Sequence, residues 1–200
     1  DKGSFRSRYK DIPQIIEHKL EFTSLVDWVK YPFVSFLRIF HLVPILSMQS
    51  NALMSNYKLY DVKQHFFTKG TKRTIIEASV DCPKKVTLLV AHLALGGKTR
   101  AKQIEELTKI IKGIDNPVIL MGDFNTFHGL HELDKLMKET HLTDTAKVDY
   151  SRIKYTEPAW NPSKRLDYIL VSKSIDVKEY EILQADFSDH LPVMVDFEVK

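Results

Sequence analysis

Apolar positions follow two rhythms along this chain. In residues 11–22 (DIPQIIEHKLEF), Ile12, Ile15, Ile16 and Leu20 recur at helical spacing and Pro13 suits a first turn, which predicts an amphipathic helix. In residues 99–114 (TRAKQIEELTKIIKGI), Ile104, Leu107, Ile110, Ile111 and Ile114 form one stripe while Lys and Glu face water. GLHELDKLMKE (129–139) predicts a further short helix. The other rhythm is that of strands. Short runs rich in β-branched and aromatic residues, bounded by turn-formers such as Lys69-Gly70 and Cys82-Pro83, predict Ala52–Ser55, Val62–Thr68, Thr74–Val80 and Val86–His92. Val118–Met121, Leu166–Ser172, Val177–Leu183 and Val193–Val199 complete the set, and the unbroken apolar run of Val118–Met121 predicts burial on both faces.

Strands mostly follow strands here, with helices inserted between some of them. That order predicts two layered sheets with helices outside, an α/β sandwich of the α+β kind, in preference to a wound parallel sheet. Leu25–Met48 is the longest apolar stretch, but it holds Asp27, Lys30, Arg38, His41, Pro32 and Pro44. A spanning helix needs about 20 mostly apolar residues, so strand and loop are expected there and a membrane span is not. No repeat or low-complexity linker interrupts the 200 residues, which suits one domain.

Composition narrows the picture. With 44% hydrophobic residues the chain can bury a real core. A formal charge of +3 permits a phosphate-bearing partner without the strong basic excess of a DNA-coating protein. Cys82 is the only cysteine, so no intrachain disulfide and no cysteine-based zinc site can form. It is expected to be a small buried or half-buried thiol in a stretch, DCPKK, that suggests a turn.

Four polar clusters lie at the ends of apolar strands: Ala91-His92-Leu93, Gly122-Asp123-Phe124-Asn125, Arg165-Leu166-Asp167-Tyr168 and Ser188-Asp189-His190-Leu191-Pro192. A buried strand delivers its last side chain to a fixed point, so such groups can converge on one pocket with rigid supports. Singly, each has a bland reading. A lone histidine is most often structural, and Asp and Asn end strands as turn residues. Asp167 stands in an apolar run and must find a partner, because an unpaired buried carboxylate is costly. Together, two histidines, three carboxylates and a carboxamide suit hydrolysis of a phosphate ester, which needs an activated water, a cation and donors aimed at phosphoryl oxygens.

With NALMS (51–55), AHLALGG and TRAKQ (91–103), GDFNTF (122–127), RLDYIL (165–170) and SDHLPV (188–193) in this order, the chain resembles the endonuclease/exonuclease/phosphatase family, of which pancreatic deoxyribonuclease is one kind. The resemblance implies a DNase I-like four-layer α/β sandwich of two packed mixed sheets flanked by helices. It implies that Asp123 positions or deprotonates the attacking water and that Asn125 orients that water or a phosphate oxygen. His190 would contact the phosphate and stabilise the charge of the transition state, with Asp167 holding its ring. His92 would donate to the phosphate or protonate the leaving group. Asp189 would help bind a divalent metal, Mg²⁺ or Mn²⁺. The family also carries a metal-binding Glu, often in L-Q-E, and no such motif is found here. The resemblance therefore implies that about one strand–helix–strand unit lies upstream of a start (DKGSFRS) that shows no signal-peptide pattern.

The expected activity is divalent-metal-dependent hydrolysis of a phosphodiester or phosphomonoester. A nuclease acting on DNA or RNA is the alternative within the class, and a non-catalytic binding module that kept the fold is the alternative outside it. Arg165, beside Lys164, is expected to edge the pocket and attract phosphate. Lys98, Arg100 and Lys102 could do so too, although a solvated helix face suits Lys102 better. Trp160, in the Pro-rich loop 155–165, could stack on a base or ring, or simply pack the loop. Tyr31, Phe33, Phe36, Ile39 and Phe40, if exposed, would favour a membrane lipid or another amphipathic substrate. A monomer is expected, with the cytoplasm as the default compartment.

Overall fold

A computed structural model describes residues 7–29, 49–71, 73–148, 155–185 and 187–200. The elements run α1 (Ile12–Leu20), β1 (Ser24–Val29), β2 (Ser50–Ser55), β3 (Tyr60–Phe66), β4 (Thr74–Asp81), β5 (Lys85–Ala91) and α2 (Gly97–Lys112). Then come β6 (Val118–Asp123), a 3₁₀ turn (Leu130–Leu133), α3 (Asp134–Thr140), β7 (Thr143–Asp144), β8 (Asp167–Val171), β9 (Ile175–Ile182) and β10 (Val193–Val199). The strand predicted at Val62–Thr68 sits about two residues earlier. The helix predicted over 129–139 opens as a 3₁₀ turn before becoming α3. Of the stretch 25–48, only the end of β1 is described. Tyr31, Phe33, Phe36, Ile39, Phe40 and His41 lie outside the described residues.

β3, β4, β5, β6, β8 and β7 form one six-stranded sheet in that order, in which only the β5–β6 pair is parallel. Side chains alternate across it, as the pleat requires. Ile75, Leu89, Ala91, Val118, Leu120 and Leu170 face α2 and α3 and meet Leu107, Ile111 and Leu136. Ile76, Ala78, Val86, Ile119 and Val171 face the other way and meet Leu53 of β2 and Ile175 of β9. There the second layer consists, among the described residues, of two antiparallel ribbons, β1–β2 and β9–β10. The order is therefore helices, mixed sheet, ribbons, with an apolar core on each side of the central sheet. β6 fills both cores, Val118 and Leu120 on one face and Ile119 on the other, which is why its sequence shows no alternation.

α1 is capped by Asp11, whose carboxylate accepts the Gln14 N–H at 3.2 Å. Its apolar stripe is not buried as expected: Ile15, Ile16 and Leu20 are exposed. Cys82 is half-buried in the β4–β5 turn, where its N–H bonds the Lys84 carbonyl. No helix among the described residues is long and apolar enough to cross a membrane.

Candidate active site

The site is built where β5, β6 and β8 end side by side. The antiparallel register of β6 and β8 sets Asp123 directly opposite Asp167. Like charges opposed in this way repel, so the pair needs positive charge close by. Two histidines supply contacts. His92, just past β5, places Nε2 at 3.1 Å from Asp123 Oδ2. His190, in the loop before β10, places Nδ1 at 2.7 Å from Asp167 Oδ2. Asp123, Asp167 and His190 each offer one ligand-type atom within 4.8 Å of the others. All four side chains are half-buried, reachable from solution yet shielded from bulk water.

The local backbone explains why GDFN has the residues it has. A Cβ on Gly122 would lie 1.9 Å from the Ala91 carbonyl oxygen, and the φ of +142° there suits only glycine. This contact draws β5 and β6 together just before their functional ends. Asp123 Oδ1 then accepts the Asn125 N–H at 2.9 Å, an Asx-type turn that releases the strand. Asn125 itself takes a left-handed φ of +50°, which asparagine tolerates. Its buried carboxamide donates to the Leu93 carbonyl at 2.9 Å, while the Leu93 N–H bonds the Asp123 carbonyl at 2.9 Å. The loops bearing His92 and Asp123 are thus stitched together. Phe124, fully buried, stacks on Tyr168 at 5.8 Å between centroids and anchors the turn in the core.

On the Asp167 side, Thr156 Oγ1 accepts the N–H groups of Leu166 and Asp167. The bond from Asp167 raises the His190 pKa from 6.5 to about 9. Burial opposes this, and the negative charges of Asp167, Asp123 and Asp189 add to it. The ring is therefore an imidazolium at neutral pH, with Nδ1–H held by Asp167 and Nε2–H left as the other donor. Because the folded value lies above the unfolded one, this pair contributes its full stability below pH 6.5 and loses it as pH rises through about 9. In Asp167→Asn the His190 midpoint, read by NMR titration, is expected to drop towards 6.5. A midpoint that stayed near 9 would rule out Asp167 as its cause.

The other expected residues fall less centrally. Asp189 is exposed, accepts the Ser188 hydroxyl at 3.0 Å and stands outside the Asp123–Asp167–His190 triplet. Trp160 is 79% exposed on a turn whose neighbour Ala159 bonds the Asp189 carbonyl at 2.8 Å. With Ser188 and Leu191 it walls a hollow of about 360 Å³. A second hollow, of about 510 Å³, opens beside Asp167 and His190 against Met54, Met121 and Val193, and Leu191 borders both. Arg165 does not edge the pocket as expected. Both its terminal nitrogens bond Asp144 at 2.7 Å and its guanidinium lies 4.2 Å from the Tyr168 ring. A buried carboxylate on β7 outcompetes the site for it. Arg100 is also no surface cation, being 1% exposed. Residue type alone concealed both pairings, because Asp144 and Glu132 lie far away in sequence.

A profile of the endonuclease/exonuclease/phosphatase family matches residues 20–190. No curated sequence matches the chain significantly. Among solved structures, an endonuclease/exonuclease/phosphatase from Beutenbergia cavernae superposes with a TM-score of 0.72 at 19% identity, covering 95% of this chain. The chain spans only 58% of that protein's length. D. rerio TDP2, solved with a single-strand DNA product, gives 0.69 at 16% identity over 93% of this chain and 81% of its own. A mannosyl-6-phosphatase from Bacteroides thetaiotaomicron gives 0.70 at 17% identity over 93% of this chain and 80% of its own. At these identities the likeness carries the fold.

Proposed function

The chain belongs to the endonuclease/exonuclease/phosphatase family, and on that premise we propose that it is a divalent-metal-dependent phosphoesterase that hydrolyses a phosphodiester or phosphomonoester with an activated water. The observation that carries the reading is the opposed pair Asp123 and Asp167 with His190 within 4.8 Å, where Asp167 and His190 line a hollow of about 510 Å³. A non-catalytic module would have no need to hold two like charges together.

In this reading Asp123 accepts a proton from the attacking water, with His92 at 3.1 Å fixing the carboxylate. Asn125 orients the same water through its carboxamide oxygen, since its nitrogen is held by Leu93. His190 donates Nε2–H to a phosphoryl oxygen, and Asp167 keeps the ring oriented and charged. His92 also serves the leaving oxygen, to which it can pass a proton. The donor set fits a hard cation: the carboxylates of Asp123 and Asp167 would hold Mg²⁺ or Mn²⁺, with Asp189 beside His190 as a further oxygen donor. When bound, such an ion neutralises phosphate charge and polarises the phosphoryl group.

Trp160 supplies the substrate's ring contact in this proposal. Its exposed indole adjoins the His190 loop, where a base or aryl group of a bound ester would lie. That favours a substrate with a planar group, nucleic acid among them, over a plain sugar phosphate or a lipid.

The test is hydrolysis by the full-length protein with Mg²⁺ or Mn²⁺. Substrates are a bis-aryl phosphate, an aryl phosphate, oligonucleotides, a hexose phosphate and sphingomyelin vesicles. Turnover that is lost in EDTA and restored by Mg²⁺ is expected. Trp160→Ala is expected to raise KM about tenfold on the substrate with a planar group, consistent with stacking of ~1–3 kcal/mol. Binding of phosphate esters without turnover under every condition would make the protein a binding module and end this reading.

A further inference from the structure

Arg100 is a cation with almost no access to solvent, and its side-chain hydrogen bonds among the described residues run to the segments that follow His92 and Asn125. It lies in the first turn of α2 and is 1% exposed. Its Nε donates to Glu132 Oε2 at 2.8 Å, and a second nitrogen reaches the same carboxylate at 2.6 Å. The third nitrogen donates to the carbonyls of Ala94 at 3.2 Å and Leu95 at 2.7 Å, immediately after His92-Leu93. Glu132, in the 3₁₀ turn after GDFNTF, uses Oε1 to accept the His128 N–H at 3.0 Å. Gln103, one turn further along α2, accepts the Ala94 N–H at 2.7 Å and donates to the Lys69 carbonyl at 2.9 Å.

One guanidinium thus spans two loops. The loop 93–95 leaves His92, and the segment 126–132 leaves Asn125. On their inner side these loops meet through the His92–Asp123 contact and the Asn125–Leu93 bond. On their outer side they meet through Arg100 and Glu132. The planar fork matters, because a guanidinium can hold a carboxylate and two carbonyls at fixed angles where an ammonium is a single point. A buried ion pair is a poor source of stability compared with an apolar pair, and what this one visibly does is fix two loops against each other.

We propose that Arg100 and Glu132 are positioning residues that set the His92–Asp123 distance, and through it the orientation of the Asp123 carboxylate and the His92 ring in the site. This rests on the catalytic reading above, in which Asp123 takes the proton. Neither residue touches substrate.

Glu132→Gln is the informative variant, because it is nearly isosteric. Its carboxamide still accepts from the His128 N–H, but the other end now presents N–H donors to a donor-only guanidinium. Leu107→Val, at a fully buried α2 position in the same core, is the control for plain loss of packing. Both variants are assayed below their melting temperatures with Mg²⁺ and a bis-aryl phosphate, and the His92 ring is followed by ¹⁵N NMR without substrate. Glu132→Gln is expected to lower kcat about 10- to 100-fold with KM within twofold, the usual cost of losing an outer partner of a site residue. The His92 ring resonances are expected to move as well. Leu107→Val is expected to lower the melting temperature while keeping wild-type kcat and His92 resonances. Arg100→Lys is expected to behave like Glu132→Gln. Wild-type kcat and unmoved His92 resonances in Glu132→Gln would overturn the proposal and leave the pair merely structural. Should the wild-type protein hydrolyse nothing, the functional reading fails by itself, and the His92 resonances still decide whether the pair sets the ring.

Discussion

Alanine in place of His190 is expected to lower kcat/KM on a bis-aryl phosphate about 10³-fold, with most of the loss in kcat. A phosphoryl group gains negative charge on its oxygens as the water attacks, and a fixed donor is worth most where water is scarce. His190 is half-buried, its Nδ1–H is bound to Asp167 at 2.7 Å, and its pKa is raised to about 9, so the imidazolium persists at neutral pH. A group that stabilises charge only as it develops alters turnover more than ground-state binding. The fold is expected to survive, since the side chain is not in either core and its main polar contact is to Asp167 alone. Asp123→Asn is expected to be at least as damaging. It keeps an oxygen to cap Asn125 and so preserves the turn, but it removes the base. Circular dichroism and melting curves near wild type, beside steady-state kinetics, are the measurements. Activity within tenfold of wild type in both variants would dismiss these role assignments.

Most of this architecture can be read from the chain, and what can be read is what depends on short range. Strand ends are marked by alternation and by turn residues, so β4, β5, β6, β8 and β10 lie within a residue or two of where the pattern predicts them. GDFN is legible because each of its positions has a local reason, from the close approach at Gly122 to the Asx turn of Asp123. Across-sheet pairings are not legible in the same way. Nothing near Arg165 in the sequence points to Asp144, whose strand is only two residues long. Arg100 reads as a polar helix position because its partners are backbone carbonyls and a glutamate 32 residues away. The exposed stripe of α1 shows the converse, since periodicity predicts which face is apolar and not whether anything covers it.

That hidden pairing has the largest consequence for stability. Asp144→Ala is expected to destabilise the protein by ~3–5 kcal/mol, against a total that for ordinary domains is about 5–15 kcal/mol. Asp144 is 4% exposed, and its two oxygens each meet a nitrogen of Arg165 at 2.7 Å. Burial works against the Arg165 charge, and the Asp144 bonds outweigh it, holding the guanidinium more firmly protonated than usual. Once the carboxylate is removed, that charge stays buried with no counter-ion, because arginine cannot shed its proton at any ordinary pH. The damage also reaches the site. Arg165 stacks on Tyr168, whose hydroxyl donates to the Arg165 carbonyl at 3.1 Å and accepts from Thr126 at 3.0 Å, so the start of β8 and the turn after Asn125 share this support. Urea unfolding should show a lower midpoint at an unchanged m value, and the melting temperature should fall by about 10 °C or more. The double variant Asp144→Ala with Arg165→Met separates charge from shape. It removes the stranded cation while keeping an unbranched chain over Tyr168, and it should regain much of the lost stability. If the double variant were no more stable than Asp144→Ala, the loss would come from packing around β7, and the unpaired charge would not be its cause.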